Sequence, residues 1–110
     1  MPIVDHGALP ETPWRPNYRK WDITKPDDGT TSSSLAHSIV EVGTGAPLHV
    51  HQADELITVL EGTLEARLGD EVQRAGPNTT VVIPPEVPHS FKSVGPGPAR
   101  LLTFFPVPDP

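Results

Sequence analysis

Fifteen prolines and nine glycines stand among 110 residues, and breakers at that density exclude long helices. A proline inside a helix removes a hydrogen bond and clashes with the preceding turn, at about 3 kcal/mol or more. Between the breakers lie short runs of β-prone residues: "SSLAHSIVEV" (33–42), "ELITVLE" (55–61), "TLEARL" (63–68), "EVQRA" (71–75), "TTVVIP" (79–84), "HSFKSV" (89–94) and "RLLTFF" (100–105). Turn residues separate them at 43–47, 61–62, 69–70, 76–78, 84–88 and 95–98. Seven or eight short strands at this spacing predict an all-β sandwich or barrel. The segment 1–32 is different, with "PWRPNYRKW" and "KPDDGTTSSS" showing little periodicity. It is expected to be an extended N-terminal arm, held to the surface by the apolar area of Trp14, Tyr18 and Trp21. The barrel domain is then 33–110.

Length and charge narrow the function. One domain of this size closes a single core, so a site must lie inside that core or between subunits. The chain has no cysteine, which removes disulfides and thiolate ligands from consideration. A formal charge of −6 disfavours nucleic acid, which binds through clustered Lys and Arg. No apolar run reaches the length of a membrane span, and "MPIVDHGALPETPW" lacks the basic segment and apolar core of a signal peptide. A cytoplasmic protein without membrane or nucleic-acid partners is the expectation.

The stretch 43–62, "GTGAPLHVHQADELITVLEG", holds two of the five histidines. Residues i and i+2 of a strand share a face, so His49 and His51 are expected to point the same way. Glu55 continues that parity into Ile57 and Val59, which would place its carboxylate on the apolar, inward face. A buried glutamate needs a cation or a donor. Later in the chain, "VVIPPEVPHSF" sets His89 directly after Pro84, Pro85 and Pro88, whose fixed φ angles stiffen its approach. Three imidazoles and one carboxylate suit a divalent first-row metal with positions left for water or substrate.

These residues resemble the two motifs of the cupin superfamily. Gly43, His49, His51, Glu55 and Gly62 fill every fixed position of its first motif, G-x5-H-x-H-x3,4-E-x6-G. The second, G-x5-P-x-G-x2-H-x3-N, is met at Pro84 and His89, while Asn78, Glu86 and Ser93 replace the first Gly, the inner Gly and the Asn. Asn tolerates a left-handed turn, whereas Glu86 must avoid positive φ or carry strain of roughly 1 kcal/mol or more. The resemblance implies a double-stranded β-helix, or jelly-roll, barrel with one divalent metal (Mn, Fe, Ni, Zn or Cu) on the residues matching His49, His51, Glu55 and His89.

Parity also suggests the cavity wall. Ile57 and Val59 are expected beneath the metal, and Phe91 with Phe104 or Phe105 on an apolar wall. Glu65, Arg67 and Lys92 turn outward on the same rule, leaving no barrel cation facing inward unless Arg15, Arg19 or Lys20 of the arm reaches the mouth. His37 and His6 read as core or surface histidines, although Leu35, His37 and Ile39 share one face. The function expected is a metal-dependent enzyme on an oxygen-chelating small molecule, dioxygenase first and isomerase or lyase beside it. The alternative is a non-catalytic module that binds a metal or metabolite. Sheet edges and the apolar arm lead to the expectation of a homodimer, with Trp14, Tyr18 and Trp21 at the contact.

Overall fold

Strand alternation builds the architecture. The computed structural model describes residues 3–108. Two short 3-10 turns, His6–Ala8 and Pro26–Asp28, flank a hairpin of β1 (Thr12–Arg15) and β2 (Tyr18–Asp22). Eight strands follow: β3 (Ser34–Val40), β4 (Gly45–His49), β5 (Glu55–Glu61), β6 (Leu64–Leu68), β7 (Glu71–Ala75), β8 (Thr79–Ile83), β9 (His89–Ser93) and β10 (Ala99–Phe105). They form two antiparallel sheets, six-stranded β1-β2-β3-β10-β5-β8 and four-stranded β4-β9-β6-β7, a jelly roll in which each element is too short to be helical. No helix among the described residues is long and apolar enough to cross a membrane.

The core between the sheets is formed by one parity of each strand. In β10, Ala99, Leu101 and Thr103 are buried while Arg100 and Phe104 are exposed. Val40, Ile57, Val59, Leu64 and Leu101 are at most 1% exposed, and burying each such side chain contributes about 1.5–3 kcal/mol. Register divides these inner faces lengthwise. Leu101 pairs with Val59 and Ala99 with Val40, all at the apolar end, whereas Phe105 pairs with Ser34 and Thr103 lies opposite Ala36 and Ile57. One end of the barrel is therefore packed and the other lined partly by polar groups.

Two features depart from the sequence expectation. Residues 45–49 form β4, although 43–47 reads as a turn. Gly45 is needed there because a Cβ would fall on the Phe91 carbonyl oxygen of the paired strand β9. Pro47 is tolerated because β4 is the edge of its sheet. The arm also goes further than surface wrapping, since β2 pairs with β3 from Tyr18↔Val40 to Asp22↔Ala36. Pro16 and Asn17 form the hairpin loop, with Asn17 at φ 62°, the proline-then-left-handed order of a type II turn. Trp14, Tyr18 and Trp21 do not share one face: Tyr18 turns inward onto Phe91 at 6.2 Å, while Trp21 stacks on His37 at 5.3 Å.

Both replaced glycines of the second motif adopt the left-handed conformation, Asn78 at φ 64° and Glu86 at φ 66°. Glu86 is exposed and its side chain has nothing to gain from that geometry, so its backbone carries the strain. Its amide donates to the His51 carbonyl at 2.7 Å, which ties this turn to the His49–His51 segment. Glu86→Gly keeps that bond and relieves the strain. It is expected to raise unfolding free energy by up to about 1 kcal/mol, read from urea denaturation; a less stable variant would show that the side chain contributes a contact the turn needs.

Candidate metal centre

Four side chains from three parts of the chain meet at the polar end of the barrel. Alternation at the end of β4 turns Leu48 and Val50 outward, at 59% and 55% exposure, and His49 and His51 inward. Glu55 opens β5 and is 7% exposed. His89 opens β9, directly opposite His49 in the ladder. The ring centroids lie 4.7 Å apart for His49–His51, 4.1 Å for His49–His89 and 5.2 Å for His51–His89.

Backbone carbonyls set the tautomers. His49 Nδ1 lies 2.6 Å from the Pro47 oxygen and His89 Nδ1 lies 2.8 Å from the Val87 oxygen. A carbonyl only accepts, so both Nδ1 atoms donate to it and both Nε2 atoms are left facing the site. His89 Nε2 approaches Glu55 Oε1 at 3.1 Å, and His51 Nε2 approaches the same oxygen at 3.4 Å. Burial, then the neighbouring His49 and His89, pushes the His51 pKa down and keeps this ring neutral.

One ligand atom from each of His49, His51, Glu55 and His89 can be chosen so that all lie within 4.8 Å of one another. Nitrogen ligands about 2.0–2.1 Å from a divalent ion span no more than roughly 4.2 Å, so a small inward adjustment closes the set around one ion. The donors fit such a cation chemically: three imidazoles, one carboxylate, and carbonyls that hold two of the rings in orientation.

His49, His51 and Glu55 of the cluster border a cavity of about 690 Å³. Phe91 and Phe105 form apolar wall beside the histidines, with Phe105 at 5.4 Å from the His51 ring in an edge arrangement. Of the other residues expected on this wall, Ile57 and Val59 lie deeper in the core at 1% and 0% exposure, and Phe104 faces outward at 37%. His37 is also outward. It accepts from Arg100 Nε at 3.0 Å, and burial followed by Arg100 and His6 lowers its pKa.

The residues that sequence reasoning left conditional come from the hairpin. Tyr18, Lys20 and Asp22, the inward parity of β2, line the cavity together with Arg15 and, beyond β2, Lys25. Arg19 does not: it pairs with Glu11 at 2.9 Å and covers the Trp21 ring. The Pro-Asn turn signal, followed by alternation through "YRKWD", marks this strand in the sequence. Burial raises the Tyr18 pKa, with the Glu55 charge adding to it against Ser38 and Arg15, so its hydroxyl stays protonated.

Residues 36–105 match the family described as the Cupin domain. No curated protein matches the chain. Among solved structures it is similar to KdgF from Halomonas sp., at 18% identity and TM-score 0.85, covering 99% of this chain and 96% of that one. It is similar to the polyketide cyclase RemF from Streptomyces resistomycificus, at 24% identity and TM-score 0.84, covering 96% and 79%. It also resembles a variant of the Bacillus subtilis oxalate decarboxylase OxdC, at 14% identity and TM-score 0.83, over 99% of this chain but 31% of that one. At these identities the likeness is one of fold.

Without a cation, burial pushes Glu55 from 4.5 up to about 7, against a smaller opposing effect of His49. Between those values the folded state binds more protons than the unfolded one, so stability falls as pH rises from about 4.5 to about 7. The loss is on the order of 3 kcal/mol. His51, with its lowered pKa, acts in the opposite sense, losing stability as pH falls below the unfolded value. Chelator-stripped wild type is therefore compared with stripped Glu55→Gln by thermal melts from pH 5 to pH 8. The expected result is that the wild type loses ground to the variant as pH rises; parallel curves would show that Glu55 is not held as a buried, proton-bound acid.

Proposed function

The chain belongs to the Cupin domain family, and from that membership we propose that it is a metal-dependent enzyme acting on an oxygen-chelating small molecule. The observation that carries this reading is the convergence of His49, His51, Glu55 and His89, the first three of them on the wall of a 690 Å³ cavity. A bound divalent first-row cation would supply Lewis acidity toward an oxygen of the substrate. The chain's own groups supply the rest. Pro47 and Val87 orient the His49 and His89 rings through Nδ1, and Phe91 and Phe105 keep water from the adjoining wall.

Tyr18 adds a proton. Its hydroxyl is held protonated on the cavity wall and can donate to a substrate oxygen as charge develops there. Isomerase or lyase chemistry has in Tyr18 a residue to manage the proton. A cavity without a fixed cation would favour dioxygenase chemistry on a neutral chelator, whereas Arg15 and Lys20 on this lining favour an acidic substrate. Isomerase or lyase turnover is therefore the reading favoured here.

Elemental analysis of the purified protein tests the first half. His51→Ala and His89→Ala are each expected to lower metal content by about tenfold or more; unchanged stoichiometry in both would remove the metal centre. The second half is tested on cobalt-loaded protein, whose visible band should shift with enolic or phenolic chelators. Phe91→Ala should alter chelator affinity more than metal content, because it removes wall and no ligand. A band indifferent to every chelator would mean a closed coordination sphere and favour the binding module.

A further inference from the structure

We propose that the β1–β2 hairpin forms a carboxylate-binding rim, with Arg15 and Lys20 as its cations, selecting chelating substrates that carry a second, distal acid group. This rests on the chelate reading of the His/Glu cluster and names the substrate class for it.

Charge distribution is the first support. Of eight Lys and Arg in a chain of net charge −6, Arg15, Lys20 and Lys25 border the one cavity that holds the histidine cluster. All three come from one eleven-residue stretch, so the hairpin brings positive charge to the cavity of an acidic protein. Three cations against Asp22 and Glu55 on this lining favour an anionic substrate here.

Pairing is the second. Arg19, Arg74 and Arg100 pair with Glu11, Glu65 and Glu61. Among the described residues Arg15 and Arg67 have no carboxylate partner, and of these two only Arg15 borders this cavity. Arg15 Nη1 donates to the Gly45 carbonyl at 3.0 Å, which fixes the guanidinium between the edge strands of the two sheets. That bond uses one of five donors, and a guanidinium held in place presents a fork suited to a carboxylate. Lys20 is on the same lining, held by Asp22 at 3.5 Å and by the Trp14 ring at 5.3 Å. Asp22 offsets part of its charge, so Arg15 is the principal contact and Lys20 the secondary one.

The cavity lining therefore carries both the His49, His51 and Glu55 ligands and the hairpin cations, with the Tyr18 and Phe91 rings 6.2 Å apart on its wall. Its volume accommodates a five-carbon acid.

Two acids with the same chelating head separate the ends: 2-oxoglutarate, with a distal carboxylate, and 2-oxopentanoate, without one. Each is titrated into cobalt-loaded wild type, Arg15→Gln, Arg15→Lys and Lys20→Gln, and the ratio of the two Kd values is read. Wild type is expected to favour 2-oxoglutarate by about tenfold or more. Arg15→Gln should cut that ratio by at least about threefold, Lys20→Gln by less, and Arg15→Lys should keep part of it. The preference should shrink as salt is raised. If Arg15 only ties the hairpin to β4, both affinities fall together and the ratio stays. A ratio near one in wild type, or one unchanged in Arg15→Gln and Lys20→Gln, overturns the rim while leaving the chelate site standing. No band shift with either acid overturns both.

Discussion

A carboxylate enclosed by an apolar barrel must be protonated, hydrogen-bonded or matched by positive charge. Glu55, 7% exposed, is in that position, and the groups around it follow from it. His51 and His89 present Nε2 to the same Glu55 oxygen. These contacts do not offset the loss of solvent, and burial raises the Glu55 pKa to about 7. A divalent cation would complete the arrangement by holding the carboxylate ionised and engaging the inward-facing ring nitrogens.

The lengthwise division of the inner faces makes room for that centre. β3 and β10 carry Ser34, Ser38 and Thr103 toward the cavity, and each gives way to Val40, Ala99 or Leu101 toward the packed end. The packed end carries the hydrophobic stabilisation, and the open end is free to hold polar groups that would destabilise a closed core. Ser93 shows the cost of a mismatch. It stands where the second motif has Asn, is fully buried at the packed side, and its hydroxyl has no partner.

The hairpin changes what the open end can recognise. As an isolated barrel, β3 to β10 directs Glu65, Arg67, Lys92 and Arg100 away from the cavity, leaving apolar wall and the His/Glu cluster. Adding β2 alongside β3 extends the wall by one strand, and its inward parity carries Tyr18, Lys20 and Asp22. A proton donor and positive charge thus enter the cavity from an element outside the residues that match the family, 36–105.

Local pattern carried much of this molecule. Proline and glycine punctuation marked β3 and β5 to β10 nearly to their ends, and the spacing of His49, His51 and Glu55 marked a candidate ligand group, because strand parity is a property of neighbouring residues; His89 joins that group in the structure. Other features depend on which strands meet. Gly45 reads as a turn until β9 passes beneath it. In "RLLTFF" both parities are apolar, so only pairing of β10 with β3 and β5 decides that Phe105 lines the cavity and Phe104 faces out. Arg15, Arg19 and Lys20 are alike in sequence. Long-range pairing of the hairpin turns two toward the cavity and one away, because a strand's alternation fixes which residues share a face but only its partners define which face is inside.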